Sequence, residues 1–141
     1  MTPKQIIRNF LKTMTHGKPG DLTKLVAPDL VASQGAKQTN GAAAAEAYAA
    51  HYRETFSNWT LEVERVIAEG SWVAVKGYTT GVISAALPDF PKPGTPVCIP
   101  WLAHYRIVRG KIAEIHMLGD TSSVEAGQPS SKIPLEPKVS V

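Results

Sequence analysis

Apolar residues recur at helical spacing near the start of the chain. Ile6, Ile7, Phe10, Leu11 and Met14 fall on one face of a helix, and Thr2-Pro3 supplies an N-cap residue followed by the proline that first turns accept. The pattern predicts an amphipathic helix ending at His16-Gly17-Lys18-Pro19-Gly20. Asp21 to Val26 read as a short helix stopped by Ala27-Pro28, and Leu30 to Ser33 as a short strand. Asn40 reads as the cap of a longer helix from Gly41 to about Ser57, with Ala44, Tyr48, His51, Tyr52, Thr55 and Phe56 on one stripe.

From Thr60 the period changes from helical to alternating. Leu61, Val63, Arg65 and Ile67 alternate with Glu62, Glu64 and Val66, Glu69-Gly70 marks a turn, and Trp72 to Ile83 return as a second strand. A loop with Pro88, Pro91, Pro93 and Pro96 leads to a second hairpin, Val97 to Val108 and Lys111 to Asp120, turning at Arg109-Gly110. Helices first and strands afterwards predict an α+β fold: a curved antiparallel sheet of about four to six strands wrapped around a long helix and N-terminal helices, a cone with an internal pocket. One domain is expected over residues 1–121. Residues 122–141, rich in proline and serine without periodicity, read as an extended or disordered tail that can wrap a neighbouring subunit.

Composition narrows the function classes. The 141 residues are 43% hydrophobic and 19% charged, with a net charge of +3, an ordinary globular composition. The basic residues are scattered and form no run, which argues against nucleic acid. A single cysteine, Cys98, makes neither an internal disulfide nor a thiolate metal cluster. Charges at Lys4, Arg8 and Lys12 interrupt the first helix, unlike a signal peptide, and the weakly polar stretches are shorter than a spanning helix requires. No membrane association and a cytoplasmic location are therefore expected.

The second hairpin carries the candidate chemistry. A two-residue turn at Arg109-Gly110 sets Tyr105 opposite Glu114, Ala103 opposite His116, Trp101 opposite Leu118 and Ile99 opposite Asp120. That face is aromatic and acidic at once, and the helix stripe adds Tyr48, His51 and Tyr52, the composition of a ligand pocket. A carboxylate in such surroundings is desolvated toward a pKa useful for proton exchange. Asp120 is best placed for that role, the alternative being a cap on the Thr121-Ser122-Ser123 turn. His116 is expected to assist it or to be satisfied by backbone. Tyr48, His51, Tyr52, Trp101 and Tyr105 serve either as pocket walls or as plain core. The opposite face, Leu102, His104 and Arg106 with Met117, Ile115 and Ala113, is mostly apolar and suits a homodimer contact. A bulge would shift this register by one residue. No metal motif is present.

These residues resemble a family. Gly94-x-x-Val97, then Tyr105-Arg106-Ile107-x-x-Gly110-Lys111-Ile112-x-Glu114 ending at Asp120, preceded by Ile67-Ala68-Glu69-Gly70-Ser71-Trp72-Val73-Ala74-Val75 and by Phe56, are similar to the SnoaL-like polyketide cyclases of the ketosteroid-isomerase-like superfamily. The resemblance spans roughly residues 3–121 and implies a cofactor-independent enzyme closing or isomerising a hydrophobic polyketide or terpenoid intermediate. Asp120 matches the family's acid/base aspartate. His116 stands where the family commonly has Trp, Gly81-Val82-Ile83 replaces Gly-Thr-His, and Asn58 replaces Asp. This altered polar set is equally similar to the small isomerases and cyclases of fungal meroterpenoid pathways. Alternatives on the same scaffold are an epoxide-opening hydrolase or cyclase and a non-catalytic binding module.

Overall fold

The computed structural model describes residues 1–86 and 90–119. Helix α1 covers Pro3–His16 and opens with a full capping box: Gln5 N donates to Thr2 Oγ1 and Thr2 N donates to Gln5 Oε1. Its stripe of Ile7, Phe10, Leu11 and Met14 is buried. The expected short helix after it is only a 3₁₀ turn, Leu22–Lys24, because the chain is already extended at Val26. Glu46 of the next helix accepts from Leu22 N (3.0 Å) and Thr23 N (3.3 Å), fixing that turn.

Strand β1, Val26–Gln34, and β2, Lys37–Asn40, form a hairpin where the sequence suggested one short strand and a helix cap. Pro28, which cannot donate to a ladder, falls in the irregular stretch between Val26 and Val31 where β1 leaves register with its neighbour. Asn40 ends β2 and does not cap. Gly41 makes the turn with φ 96° and its N–H held by Leu30 O at 2.7 Å, so helix α2 starts at Ala43 and runs Ala43–Thr55.

The chain passes directly from α2 into β3, Phe56–Glu69, turns back as β4, Trp72–Ile83, and continues through β5, Pro96–Val108, and β6, Lys111–Gly119. These six strands form one curved, unclosed sheet in the order β2-β1-β6-β5-β4-β3. The sheet is mixed, not antiparallel throughout, because β1 runs parallel to β6. Both helices pack on one face of it. The core is there: Phe10 meets Tyr105 edge-on at 6.1 Å, and Val73, Val75, Trp101 and Ile112 are buried.

The Arg109-Gly110 turn forms as expected, both residues at positive φ (51° and 77°). The register beyond it does not. Ile107 pairs with Ile112, but Arg106 pairs with Glu114, leaving Ala113 as an extra residue in β6. Every side chain of β6 past that bulge is therefore turned to the face opposite the expected one. Ile115, Met117 and Gly119 join Trp101, Ala103 and Tyr105 inside, while Glu114, His116 and Leu118 join Leu102, His104 and Arg106 outside.

One close approach sets the inner wall. Gly77 of β4 lies opposite Trp101, and a Cβ there would stand 2.4 Å from Glu62 O and 2.8 Å from Trp101 Cζ2. Gly77→Ala is expected to destabilise the fold by about 1–3 kcal/mol through overpacking, read from urea unfolding.

Candidate functional site

Between the helices and the concave face of the sheet lies a cavity of about 650 Å³. Its depth is made of buried aromatic and aliphatic side chains, Phe10, Trp59, Ile99, Trp101 and Tyr105. Exposed polar residues, Lys37, Thr39, Asn40 and His51, mark its mouth. The size and the apolar lining suit a multi-ring organic molecule.

Helix α2 supplies the roof. Tyr48, His51 and Tyr52 share its inner stripe, as the sequence spacing predicted, and all three line the cavity. Tyr52 stacks on Trp59 (5.3 Å, 21°), packs against Tyr48 (4.7 Å), and receives the His51 ring edge-on (5.9 Å). Tyr48 Oη lies 3.2 Å from Met117 Sδ across the cavity. Its phenol is pushed well above the ordinary tyrosine range, first by burial and then by the neighbouring Tyr52. Burial likewise raises the Tyr105 phenol far above that range. Both are neutral hydrogen-bond donors at physiological pH.

Five expected site residues are thus brought together: Tyr48, His51, Tyr52, Trp101 and Tyr105 all line one cavity. His116 does not join them, because the Ala113 bulge turns it to the outer face of the sheet. Asp120 lies outside the described residues, as do residues 122–141. The described part of β6 ends at Gly119, which lines the cavity. Among the described lining residues there is no carboxylate, and the titratable groups are Lys37, Tyr48, His51, Tyr52 and Tyr105. No group of three His, Cys, Asp or Glu side chains among the described residues converges on a metal position.

Sequence reasoning missed Trp59, Ile115, Met117 and the polar lip from the β1–β2 hairpin. Trp59 follows Asn58, whose φ of 53° belongs to a register shift between Ser57 and Thr60. Asparagine tolerates that left-handed backbone better than most residues, which gives Asn58 a conformational role where the family has Asp. Alternation carried back through the shift could not show that Trp59 points inward.

On the outer face His116 is the centre of a polar chain. Its Nδ1 is 2.7 Å from Ser33 Oγ on the parallel neighbour β1, and its Nε2 is 3.0 Å from Glu114 Oε1. Arg106 Nε donates to the other Glu114 oxygen. The His116 and Arg106 hydrogen bonds hold the Glu114 carboxyl below the usual carboxylate range. The His116 ring lies 5.0 Å from that of His104, which lies 5.0 Å from Trp72.

The raised phenol pKa values carry a stability consequence. A folded-state phenol above its unfolded value of ~10 contributes stability that is intact below that pH and lost as pH rises through it. Wild-type stability should begin to fall near pH 10 and keep falling as pH rises toward the raised folded-state values, and Tyr105→Phe should flatten that fall, measured by urea unfolding from about pH 9 upward.

The chain matches the SnoaL-like domain family model over residues 7–115. No curated relative matches it. Among solved structures it superposes on IdmH of Streptomyces antibioticus, a candidate polyketide cyclase, with a TM-score of 0.79 at 21% identity, covering 90% of this chain and 98% of that one. A candidate SnoaL-like polyketide cyclase from Jannaschia sp. CCS1 gives 0.76 at 19% identity, covering 90% and 93%. AclR of Streptomyces galilaeus, a candidate hydroxylase, gives 0.77 at 18%, covering 94% and 97%. At these identities the superpositions speak for the fold, and a structure with a ketosteroid isomerase-like fold from Catenulispora acidiphila is similar at a TM-score of 0.74. The sequence match and the helix-roofed curved sheet agree: this chain belongs to the SnoaL-like domain family.

Proposed function

We propose that the protein is a cyclase or isomerase that takes a hydrophobic polycyclic intermediate of polyketide or terpenoid type and moves a proton by general acid/base catalysis. The observation that carries this reading is the cavity of about 650 Å³, apolar in its depth and edged by phenols that burial keeps protonated. Trp101, Tyr105 and the Tyr52–Trp59 stack offer flat surfaces to a flat substrate.

In this scheme Asp120 takes a proton from a carbon beside a carbonyl. Negative charge moves to the carbonyl oxygen, where the Tyr48 hydroxyl donates a hydrogen bond without giving up its own proton. The enolate carbon then attacks a second carbonyl to close a ring, and the resulting alkoxide takes the proton back from Asp120; or another carbon of the conjugated system takes that proton back to complete an isomerisation. His51, at the mouth, faces the substrate's outer oxygens. Proton transfer alone balances both outcomes. The epoxide-opening alternative works through paired carboxylates, and the described cavity lining contains none.

Asp120→Asn is expected to lower turnover by about 10²- to 10⁴-fold, and Tyr48→Phe by roughly 10-fold or more through loss of one oxyanion donor. The measurement is mass-spectrometric conversion of a panel of polycyclic ketones, β-keto esters and epoxides by wild type and both variants. Undiminished turnover by folded Asp120→Asn removes the aspartate from the mechanism. A panel that raises the melting temperature of every variant equally, with no conversion, identifies a binding module instead.

A further inference from the structure

We propose that Ser33, His116 and Glu114 form a second site, an ester-hydrolysing one, on the outer face of the sheet, with Ser33 as nucleophile toward carboxylic esters bearing an apolar acyl chain. His116 is on the outer wall of the sheet and Ser33 borders both the outer groove and the inner cavity; the proposal does not rest on the function proposed for that cavity. A hydroxyl, an imidazole and a carboxylate stand in one hydrogen-bonded chain, Ser33 Oγ to His116 Nδ1 at 2.7 Å and His116 Nε2 to Glu114 Oε1 at 3.0 Å. Glu114 is ionised and only accepts, so the imidazole hydrogen sits on Nε2 and Nδ1 is left to accept from the serine. The base nitrogen is thus Nδ1 and the one held by the carboxylate is Nε2, the reverse of the assignment in Ser-His-Asp hydrolases. Arg106 holds the carboxylate from its far side, and the ring stack with His104 and Trp72 fixes the imidazole plane.

Next to this chain lies a groove of about 580 Å³ with Ser33 and His116 in its wall. Ile67, Leu102 and Leu118, exposed by 57%, 57% and 64%, give it an apolar flank. Arg65 and Lys76 also line it. The groove therefore offers an acyl chain an apolar seat beside a hydroxyl hydrogen-bonded to an imidazole, while Lys76, two strands beyond β6, is bridged to Glu64 at 2.8 Å.

The chemistry balances with water as the only co-reactant. Ser33 Oγ bonds to the ester carbonyl carbon while its proton passes to His116 Nδ1, and the carbonyl oxygen takes the negative charge of the tetrahedral intermediate. Collapse breaks the bond to the alcohol oxygen, and the alcohol leaves with the proton from His116. Water then attacks acyl-Ser33, giving its proton to His116, and the carboxylic acid departs as Ser33 Oγ recovers that proton. Ser33 and His116 are the catalytic residues, and Glu114 is a positioning residue.

The test treats the full-length protein with a fluorophosphonate, which leaves a phosphonyl group on an activated serine with loss of fluoride, and assays p-nitrophenyl butyrate hydrolysis in parallel. Intact mass should show one label per chain, and peptide mapping should place it on Ser33. Ser33→Ala should abolish labelling and hydrolysis, whereas the control Ser57→Ala should label like wild type. His116→Gln should slow both reactions by about 100-fold or more. Glu114→Gln should lower kcat with KM unchanged, a split that loss of groove packing would not give. Circular dichroism melting confirms that each variant is folded. Absence of labelling in the folded wild type, labelling that survives Ser33→Ala, or an unchanged rate in His116→Gln overturns the proposal. Sedimentation of the same sample covers the remaining outcome: a dimer whose Ser33 is not labelled means a second copy occupies the groove, and the proposal fails.

Discussion

Side-chain alternation on a curved sheet governs this molecule. A strand offers each residue one of two faces, and here one face lines an apolar cavity while the other carries the half-buried polar chain. The single extra residue at Ala113 decides which β6 side chains go to which face. Without that bulge His116 and Glu114 would be turned into the space that Ile115 and Met117 fill, and two hydrogen-bonding groups would displace thioether and aliphatic packing around Tyr48. The fold tolerates one unpaired ladder position because the faces it produces each match their surroundings.

The cavity draws its chemical character from the same segregation. With no carboxylate among the described lining residues, the ionisable groups inside are mainly phenols, whose neutral form burial favours. A buried neutral phenol stabilises negative charge that develops on a ligand oxygen without itself bringing a charge that must be desolvated. In the proposed scheme these phenols are the groups that answer charge appearing on a bound molecule. Gly77 belongs to this arrangement as much as the aromatics do, since the Trp101 indole closes the wall only because β4 has no Cβ beneath it.

Local signals made part of this readable and tertiary pairing hid the rest. The Thr2-Pro3 cap, the stripe from Ile7 to Met14, the Glu69-Gly70 and Arg109-Gly110 turns and the inner stripe of α2 are written in neighbouring residues, and each forms. The α+β order and the curved sheet followed from them. The β1–β2 hairpin is different: its strand β1 carries Pro28 and Asp29, and its partner β6 is eighty or more residues away in sequence and runs parallel to it. No local pattern distinguishes such a strand from a loop or a broken helix. The same holds for the cavity lip at Lys37 and Thr39, and for Trp59 beyond the register shift at Asn58.

The register of the second hairpin shows the sharper limit. The turn residues were read correctly and the strands pair as a hairpin, yet the error of one residue exchanged the two faces of β6. Both alternatives leave plausible pairs across the ladder: Tyr105 beside Glu114 in one, Tyr105 beside Ile115 in the other. What separates them is desolvation. Tyr105 is 3% exposed, and a carboxylate beside it would lose its hydration, whereas on the outer face Glu114 takes hydrogen bonds from Arg106 and His116 and keeps access to water. Arg106 itself, anchored on β5 with its side chain directed outward, gives Glu114 a partner on one face only. The bulge at Ala113 is the geometric consequence of that electrostatic preference, and it explains why an acidic residue near a turn, a histidine two positions on and a serine on a distant strand end up in contact.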